Sequence, residues 1–491
     1  MNRRLTISAK VLVGYFVALL MFIIYVFFGN ESSSSGIWSN MQFVSIIGVV
    51  LYIYFLLSWR SIYHRILSPY IVFVTVLYLC LCGQSIMWAF GTEAGYRDLH
   101  HWNYGFNEKD LRNALLFAYT CLSVLHATVI GSIDVKTKAT KKVKNQISGQ
   151  TKYIEEKNLY IVMVWFGVLL VLATIVPFII NFVQTYYLYL LSSYGSQYEN
   201  VTYGISSMLG KIAEFFVVGV VTLLYAWGVK NDYNKSNFMI KAIVAYGLMA
   251  IYLISELMLG QRTGVILFSI AFLFVFFKDK KIPRKWVMFG VGAVFILMAS
   301  MRMVDMLRSN AIEDFSGFID YFSNTDNNPV IDFLGDIGWN LTTLVEFQLV
   351  IPAEKAFSYG FSYLVSLTSI VPNLNFWDIH PATEYGNISD WLRNYRGYSF
   401  GIGCTPIAEA YYNFGALGCL VFYFWGKVCI YFNRKFENKN DVLDNYQVIL
   451  FMGILLKASV RSSFYAVFRP MILYVILPVV LIKYAYRQLK R

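Results

Sequence analysis

The stretch VLVGYFVALLMFIIYVFF, residues 11–28, carries no charged residue. As a helix rising about 1.5 Å per residue it would cover about 27 Å, close to the hydrocarbon thickness of a bilayer. No small-residue cleavage site follows it, so the run is expected to stay in place as a membrane span. The rest of the chain has the same character. Of its 491 residues, 57% are hydrophobic, 18% aromatic and 14% charged, whereas soluble domains carry about 25% charged residues. Mean hydropathy is +0.53. Further runs lie at 43–59, 69–90, 114–133, 159–182, 205–227, 238–260, 265–277, 286–300, 404–432, 446–460 and 470–487. The fold expected is an all-α polytopic integral membrane protein with about 12 transmembrane helices, within a range of about 11–14 because the runs at 265–277 and 286–300 are short.

A net charge of +12 would suggest nucleic acid in a soluble protein, but here membrane sidedness explains it, and no nucleic-acid partner is expected. The six cysteines, Cys80, Cys82, Cys121, Cys404, Cys419 and Cys429, sit within or beside apolar runs without metal-ligand spacing. They read as small core residues.

Orientation follows from the basic residues. With the N-terminus cytoplasmic, one side carries 28 Lys and Arg, including seven lysines between Lys136 and Lys157 and the cluster "KDKKIPRK". The opposite side carries 11: Arg97, Lys109, Arg112, Arg262, Arg302, Arg308, Lys355, Arg393, Arg396, Arg461 and Arg469. Lys211 and Lys457 fall inside helices. The positive-inside rule then gives N-in and C-in, in keeping with an even number of spans. Residue type changes as well: 20 Lys to 8 Arg inside, 2 Lys to 9 Arg outside. Arginine offers a planar fork that binds phosphate bidentately, where lysine is a mobile point charge. An outer face that selects arginine reads as anion-binding. The competing explanation is structural pairing with Asp305, Glu313, Asp314 or Asp390.

On this topology the chain divides into six N-terminal spans (1–237), three spans with an external hairpin (238–300), a large external loop (301–403) and three C-terminal spans (404–491). The loop contains turn clusters ("SNTDNNP", "PNLNFWDIHP") and moderately apolar stretches such as "GWNLTTLVEFQLVIP". These suit short amphipathic helices lying at the interface or dipping into the bundle.

Nothing in the sequence matches a P-loop, HExxH, CxxC or GxSxG motif, so ATP-driven transport and zinc hydrolysis have no support. Arginines, carboxylates and aromatics on the outer side remain. Arg302, Asp305 and Arg308 follow one another at spacings of three, an acid between two cations on a helical face. In "SDWLRNYRGYSFG", Arg393 and Arg396 interleave with Trp391, Tyr395 and Tyr398. That mixture suits phosphate binding with sugar stacking, or equally an interfacial helix with an aromatic belt. Glu409 and Asn413 in "GIGCTPIAEAYYNFGALG" (401–418) share a helical face. A carboxylate in an apolar helix marks a site or a buried pair, and Gly415 and Gly418 would permit close helix approach. Glu256 sits where it could neutralise Arg262. His380 in "WDIHP" is a general base or a surface-loop histidine.

Taken together, "GQRTG" at a hairpin tip (260–264), an arginine-bearing outer loop and the 401–418 stretch resemble the Wzy-type oligosaccharide repeat-unit polymerases of bacterial surface polysaccharides. The likeness is most specific over 255–308 and 385–420. It implies a glycosyltransferase of the bacterial cytoplasmic membrane whose site faces the periplasm. The growing glycan would pass from undecaprenyl diphosphate to the non-reducing-end hydroxyl of a new lipid-linked unit, without cofactor or metal. A chain-length regulator is a further expected partner beside the lipid-linked oligosaccharide and the bilayer. Carried onto this chain, Arg262, Arg302, Arg308, Arg393 and Arg396 would anchor diphosphate and sugar, with Arg461 and Arg469 behind them. Glu409 would act as base or sugar-orienting carboxylate, followed by Asp305 and His380. An O-antigen ligase would use the same donor and need the same arginines. A flippase should instead place charge deep in a cavity open to both faces. A non-enzymatic assembly partner would use the arginines only for complex formation.

Overall fold

The computed structural model describes residues 2–29, 36–63, 68–93, 98–101, 105–132, 149–191, 205–228, 235–259, 265, 268–269, 328–373, 376–438 and 441–490. Every regular element among them is helical. Ten of the described helices are long and apolar enough to cross a membrane: Ser8–Phe28, Met41–Tyr63, Pro69–Ala89, Glu108–Gly131, Glu156–Tyr187, Leu209–Trp227, Phe238–Met258, Pro406–Glu437, Val442–Arg461 and Phe464–Leu489. Each falls on an expected run. The two remaining expected runs, 265–277 and 286–300, lie almost wholly outside the described residues.

The chain forms two compact units. One takes Met1–Ile133, Asp279–Phe361 and Ile402–Tyr431, the other Asp134–Lys278, Ser362–Gly401 and Phe432–Arg491.

In the first unit the helices Pro69–Ala89 and Glu108–Gly131 are the most enclosed. The former begins where sequence would have it begin. Ser68 accepts a hydrogen bond from the Ile71 N–H at 3.2 Å, and Pro69 stands at the first helical position, where its missing N–H costs nothing. Buried His126 knits three helices together, with Ser58 Oγ 2.6 Å from Nε2 and Tyr70 Oη 2.6 Å from Nδ1. Pro329–Gly338, from the long segment expected as an external loop, packs on Pro69–Ala89. The approach is backbone to backbone: a Cβ on Gly338 would fall 2.5 Å from the Gln84 nitrogen. Gln84, fully buried, donates from Nε2 to the Gly335 carbonyl and accepts from the Leu99 N–H, each at 3.0 Å.

The next helix is Leu341–Val350. An amphipathic interfacial helix should keep one face open. Here Leu341, Thr342, Thr343, Leu344, Val345, Glu346, Phe347 and Val350 are all buried, because Glu108–Gly131 and Pro406–Phe414 both pack against it. Of the two placements expected, this helix takes the one inside the bundle.

In the second unit the long helix Gly149–Leu191 packs on Phe215–Trp227, around Val171, Phe216, Val220 and Leu223. Thr222 Oγ1 lies 2.6 Å from Tyr446 Oη, tying in Val442–Leu450. The last two spans are not uniform α-helices. Each contains a π-helical stretch, Phe451–Leu455 and Met471–Ile476, and the two stretches pack against one another. The second begins directly after Pro470, whose ring removes an N–H from the helical ladder.

Candidate functional site

In the first unit, "TPIAEAYYNFG" is a short helix with both ends written in its sequence. Thr405 caps it, its hydroxyl accepting from the Ala408 N–H at 3.1 Å, and Pro406 opens it. Gly415 ends it with φ +56° and ψ −133°, a conformation open to glycine. The chain continues as a 3₁₀ turn, Gly415–Leu420, before the helix Val421–Glu437. The expected single run is therefore broken at its start. A Cβ on Gly418 would come within 2.3 Å of the Ala410 carbonyl oxygen, so this glycine serves the break and not the approach of a separate helix.

Glu409, the sequence's first carboxylate candidate, is 1% exposed. Its neighbour by spacing, Asn413, is wholly buried and holds loop backbone. The Asn413 amide donates to the Glu409 carbonyl at 2.9 Å and its Oδ1 accepts from the Gly360 N–H at 3.0 Å. Adjoining strands of loop are pinned the same way, Ser358 N–H to Tyr412 O and Tyr359 N–H to Asn413 O. The facing helix Leu341–Val350 brings a second enclosed carboxylate, Glu346, 3% exposed. Sequence reasoning passed over Glu346, although the rule that singled out Glu409, a lone acid in an apolar run, applied to "TTLVEFQLV" as well. Around these acids Thr343 Oγ1 donates to the Ile402 carbonyl at 3.1 Å and Tyr411 Oη to the Ile351 carbonyl at 3.3 Å. Phe347 packs against the Tyr412 ring. Cys404 beside them stays a thiol: burial, with the Glu409 charge adding to it, pushes its pKa well above the ordinary value.

In the second unit two separate segments meet. The short helix Pro381–Gly386 is stitched to Phe464–Pro470. Ser463 Oγ donates to the Gly386 carbonyl at 3.3 Å across 77 positions of sequence, and Thr383 Oγ1 lies 3.2 Å from Tyr465 Oη. A Cβ on Gly386 would fall 2.9 Å from Ser366 Oγ. This joins the segment that carries His380, Arg393 and Arg396 to the turn bracketed by Arg461 and Arg469. His380 spends both ring nitrogens on local structure. Nδ1 accepts from the Ala382 N–H at 3.1 Å, capping the short helix, and Nε2 lies 3.0 Å from the Val371 carbonyl. That geometry is of a loop-fixing histidine.

The helix Ile388–Arg396 carries the expected arginine–aromatic mixture. Trp391 and Tyr395, one turn apart, stack at 5.4 Å with planes 3° from parallel, and Tyr398 stacks on Phe400 at 5.4 Å. Arg393 lies 3.5 Å from Asp390 and donates to Asn394 Oδ1 at 3.2 and 3.3 Å, so the pairing with Asp390 weighed from sequence is present. Arg461 is exposed and Arg469 half-buried. Glu256 lies near enough to Lys457 to interact electrostatically. Arg262, Arg302, Asp305 and Arg308 lie outside the described residues, as does the "GQRTG" hairpin tip. Among the described residues no three His, Cys, Asp or Glu side chains converge to hold a metal ion.

The family described as O-antigen polysaccharide polymerase Wzy matches residues 11–490. The chain belongs to this family. A Wzy polymerase is a membrane glycosyltransferase that joins O-antigen repeat units, and the all-helical architecture with its many apolar spans is that of such a multi-pass protein. Neither a curated protein nor a solved structure matches the chain. In this Wzy protein the second unit therefore gathers exposed and part-buried arginines with aromatic rings, and the first encloses the carboxylates Asp98, Glu346 and Glu409.

Proposed function

We propose that this Wzy protein works at the outer face of the bacterial cytoplasmic membrane, N-in and C-in. There it passes the growing glycan from undecaprenyl diphosphate to the non-reducing-end hydroxyl of a newly arrived lipid-linked unit. The observation that carries this reading is the stitching of the Arg393–Arg396 segment to the Arg461–Arg469 turn. It supplies cations and stacked aromatics within one unit, at the ends of membrane spans, where a lipid diphosphate and its first sugars would lie.

The reaction needs charge stabilisation at the leaving diphosphate. Arginines do this by bidentate hydrogen bonding, and removal of one such donor typically costs about 100–1000-fold in rate. Arg393, Arg396, Arg461 and Arg469 are assigned this role, with Arg262, Arg302 and Arg308 as further members. The stacked Trp391–Tyr395 pair offers a flat apolar surface to a sugar ring. Glu409 is carried over from the sequence reading as a candidate for orienting the sugar, with Asp305 as a second candidate. The step draws on the sugar–diphosphate bond alone, so neither nucleotide nor metal is required. A chain-length regulator would act on the extent of polymerisation and not on the bond-forming step.

Purified protein supplied with polyprenyl-diphosphate-linked oligosaccharide from polymerase-deficient cells should yield a ladder of products, undiminished by EDTA. Absence of a ladder, or its abolition by chelator, would refute the proposal. Transfer of finished chains onto lipid A-core with no ladder would indicate a ligase.

A further inference from the structure

In the second unit one carboxylate is placed differently from those enclosed in the first. Glu214 lies at the junction of the helices Ile205–Ala213 and Phe215–Trp227, inside the apolar span Leu209–Trp227. It is nevertheless exposed. Its Oε2 accepts a hydrogen bond from Tyr474 Oη, and among the described residues it forms no ion pair. A charged side chain turned toward lipid costs about 2.5–3.5 kcal/mol at the centre of a span on insertion scales, and less toward its end. The phenol that holds this one comes from another helix and is 3% exposed, so the acid is held against protein on that side.

Tyr474 is itself fixed. Its ring meets Phe215 edge-on at 4.9 Å, and it sits within the π-helical stretch Met471–Ile476. A π-turn widens the helix by one residue and redirects side chains, and such turns are frequent at functional sites. Arg469, two residues before the stretch, lies close enough to Tyr474 to act on it electrostatically. It has no hydrogen-bond or ion-pair partner among the described residues. The phenol thus links an exposed carboxylate, which it holds by a hydrogen bond, with a cation that acts on it electrostatically.

We propose that Glu214 is the catalytic base for the acceptor sugar hydroxyl, with Tyr474 as its positioning residue. This rests on the polymerase reaction proposed above. The hydroxyl proton passes to the Glu214 carboxylate as the acceptor oxygen bonds to the anomeric carbon of the growing chain. The bond from that carbon to the diphosphate oxygen breaks, and its electron pair leaves with the lipid diphosphate, whose charge Arg469 meets. Enclosed Glu409 and doubly engaged His380 are poorly placed to receive a proton from an incoming substrate. Glu214 is open to one.

The test uses the purified full chain and polyprenyl-diphosphate-linked oligosaccharide extracted from polymerase-deficient cells. Glu214→Gln should lower kcat about 100-fold or more, within the 10²–10⁴ range of general base catalysis, and leave KM within about threefold. Glu214→Ala should be equally slow and should recover about tenfold with added formate, which a structural glutamate would not do. A Glu214→Gln protein within threefold of wild type, or a Glu214→Ala protein indifferent to formate, overturns the assignment while the wild-type ladder still upholds the reaction. A wild-type protein that makes no ladder removes the reaction, and the assignment falls with it. Should the Glu214 variants fail to fold, Tyr474→Phe decides. About a tenfold fall in kcat at unchanged KM supports the assignment, and an unchanged kcat overturns it.

Discussion

Gln84→Leu tests whether part of the long segment 328–403 is built into the first unit and not laid upon it. The Gln84 side chain joins three pieces of chain: its own helix, the Gly335 carbonyl at 3.0 Å and the Leu99 N–H at 3.0 Å. Leucine has similar volume and neither polar group. The Gly335 carbonyl would keep its helical bond from the Trp339 N–H at 3.1 Å, so its loss is partial. The Leu99 N–H, in a residue with no exposure, would be orphaned. An unsatisfied buried group costs about 1–3 kcal/mol and a lost hydrogen bond about 1 kcal/mol, so the change should cost about 3 kcal/mol. At about 1.4 kcal/mol per factor of ten, local opening of Pro329–Gly338 would become about a hundredfold more populated. Amide hydrogen exchange of residues 329–338 in detergent or nanodiscs reads this directly. Gln42→Leu is the control, since Gln42 donates one long bond, 3.4 Å, to the Ala89 carbonyl, and protection of 329–338 should not change. Equal protection in Gln84→Leu and wild type, within about threefold, would refute the embedded placement.

Thr405→Ala should destabilise the Pro406–Phe414 helix by about 1 kcal/mol, the usual cost of a lost N-cap, seen as a lower thermal midpoint that Thr405→Ser restores. Arg393→Ala removes a partly exposed pair worth about 0–1 kcal/mol, so thermal stability should barely change while KM for lipid-linked oligosaccharide rises. Equal loss of both would mark Arg393 as structural. The hydrogen bond to Asp98 raises the His100 pKa above its ordinary value. Protonated His100 therefore stabilises the fold at pH below the unfolded value of about 6.5, and that contribution fades as pH rises through the raised folded value. Wild type should lose thermal stability over this interval relative to His100→Asn, and parallel pH profiles would contradict this. All six cysteines are free and buried, so iodoacetamide should label none before unfolding and all six afterwards, as counted by mass spectrometry.

Much of this architecture was legible from sequence because the bilayer imposes it locally. Ten charge-poor runs become ten spans, since each must satisfy its own backbone hydrogen bonds wherever lipid excludes water. Helix starts were equally local, as Ser68-Pro69 and Thr405-Pro406 show. What escaped depends on partners distant in sequence. "TTLVEFQLV" looks too polar to span, and only the helices around it make burial of Thr342, Thr343 and Glu346 tolerable. The π stretches leave no periodic mark beyond Pro470. Arg393 and Asp390, three apart, announced their pairing, whereas no pattern links Glu214 to Tyr474 across 260 positions. Glu214 was passed over although it lies inside the run 205–227, where the rule that singled out Glu409 applied as well. The change from lysine to arginine between the two expected sides was visible as composition. The joining of residues 383–386 to 463–465 was not, because the serine, threonine and tyrosine that make it are ordinary loop residues.

The direction of chain growth tests the proposed transfer most directly. Purified protein would receive lipid-linked units carrying a radiolabelled sugar for a short pulse, then unlabelled units, and the sugar next to the diphosphate would be released by mild acid and identified. If the growing chain leaves its lipid for each new unit, the chased polymer carries unlabelled sugar at the lipid end, label at the far end, and one free polyprenyl diphosphate per bond formed. Label remaining beside the diphosphate after the chase would contradict the proposed reaction.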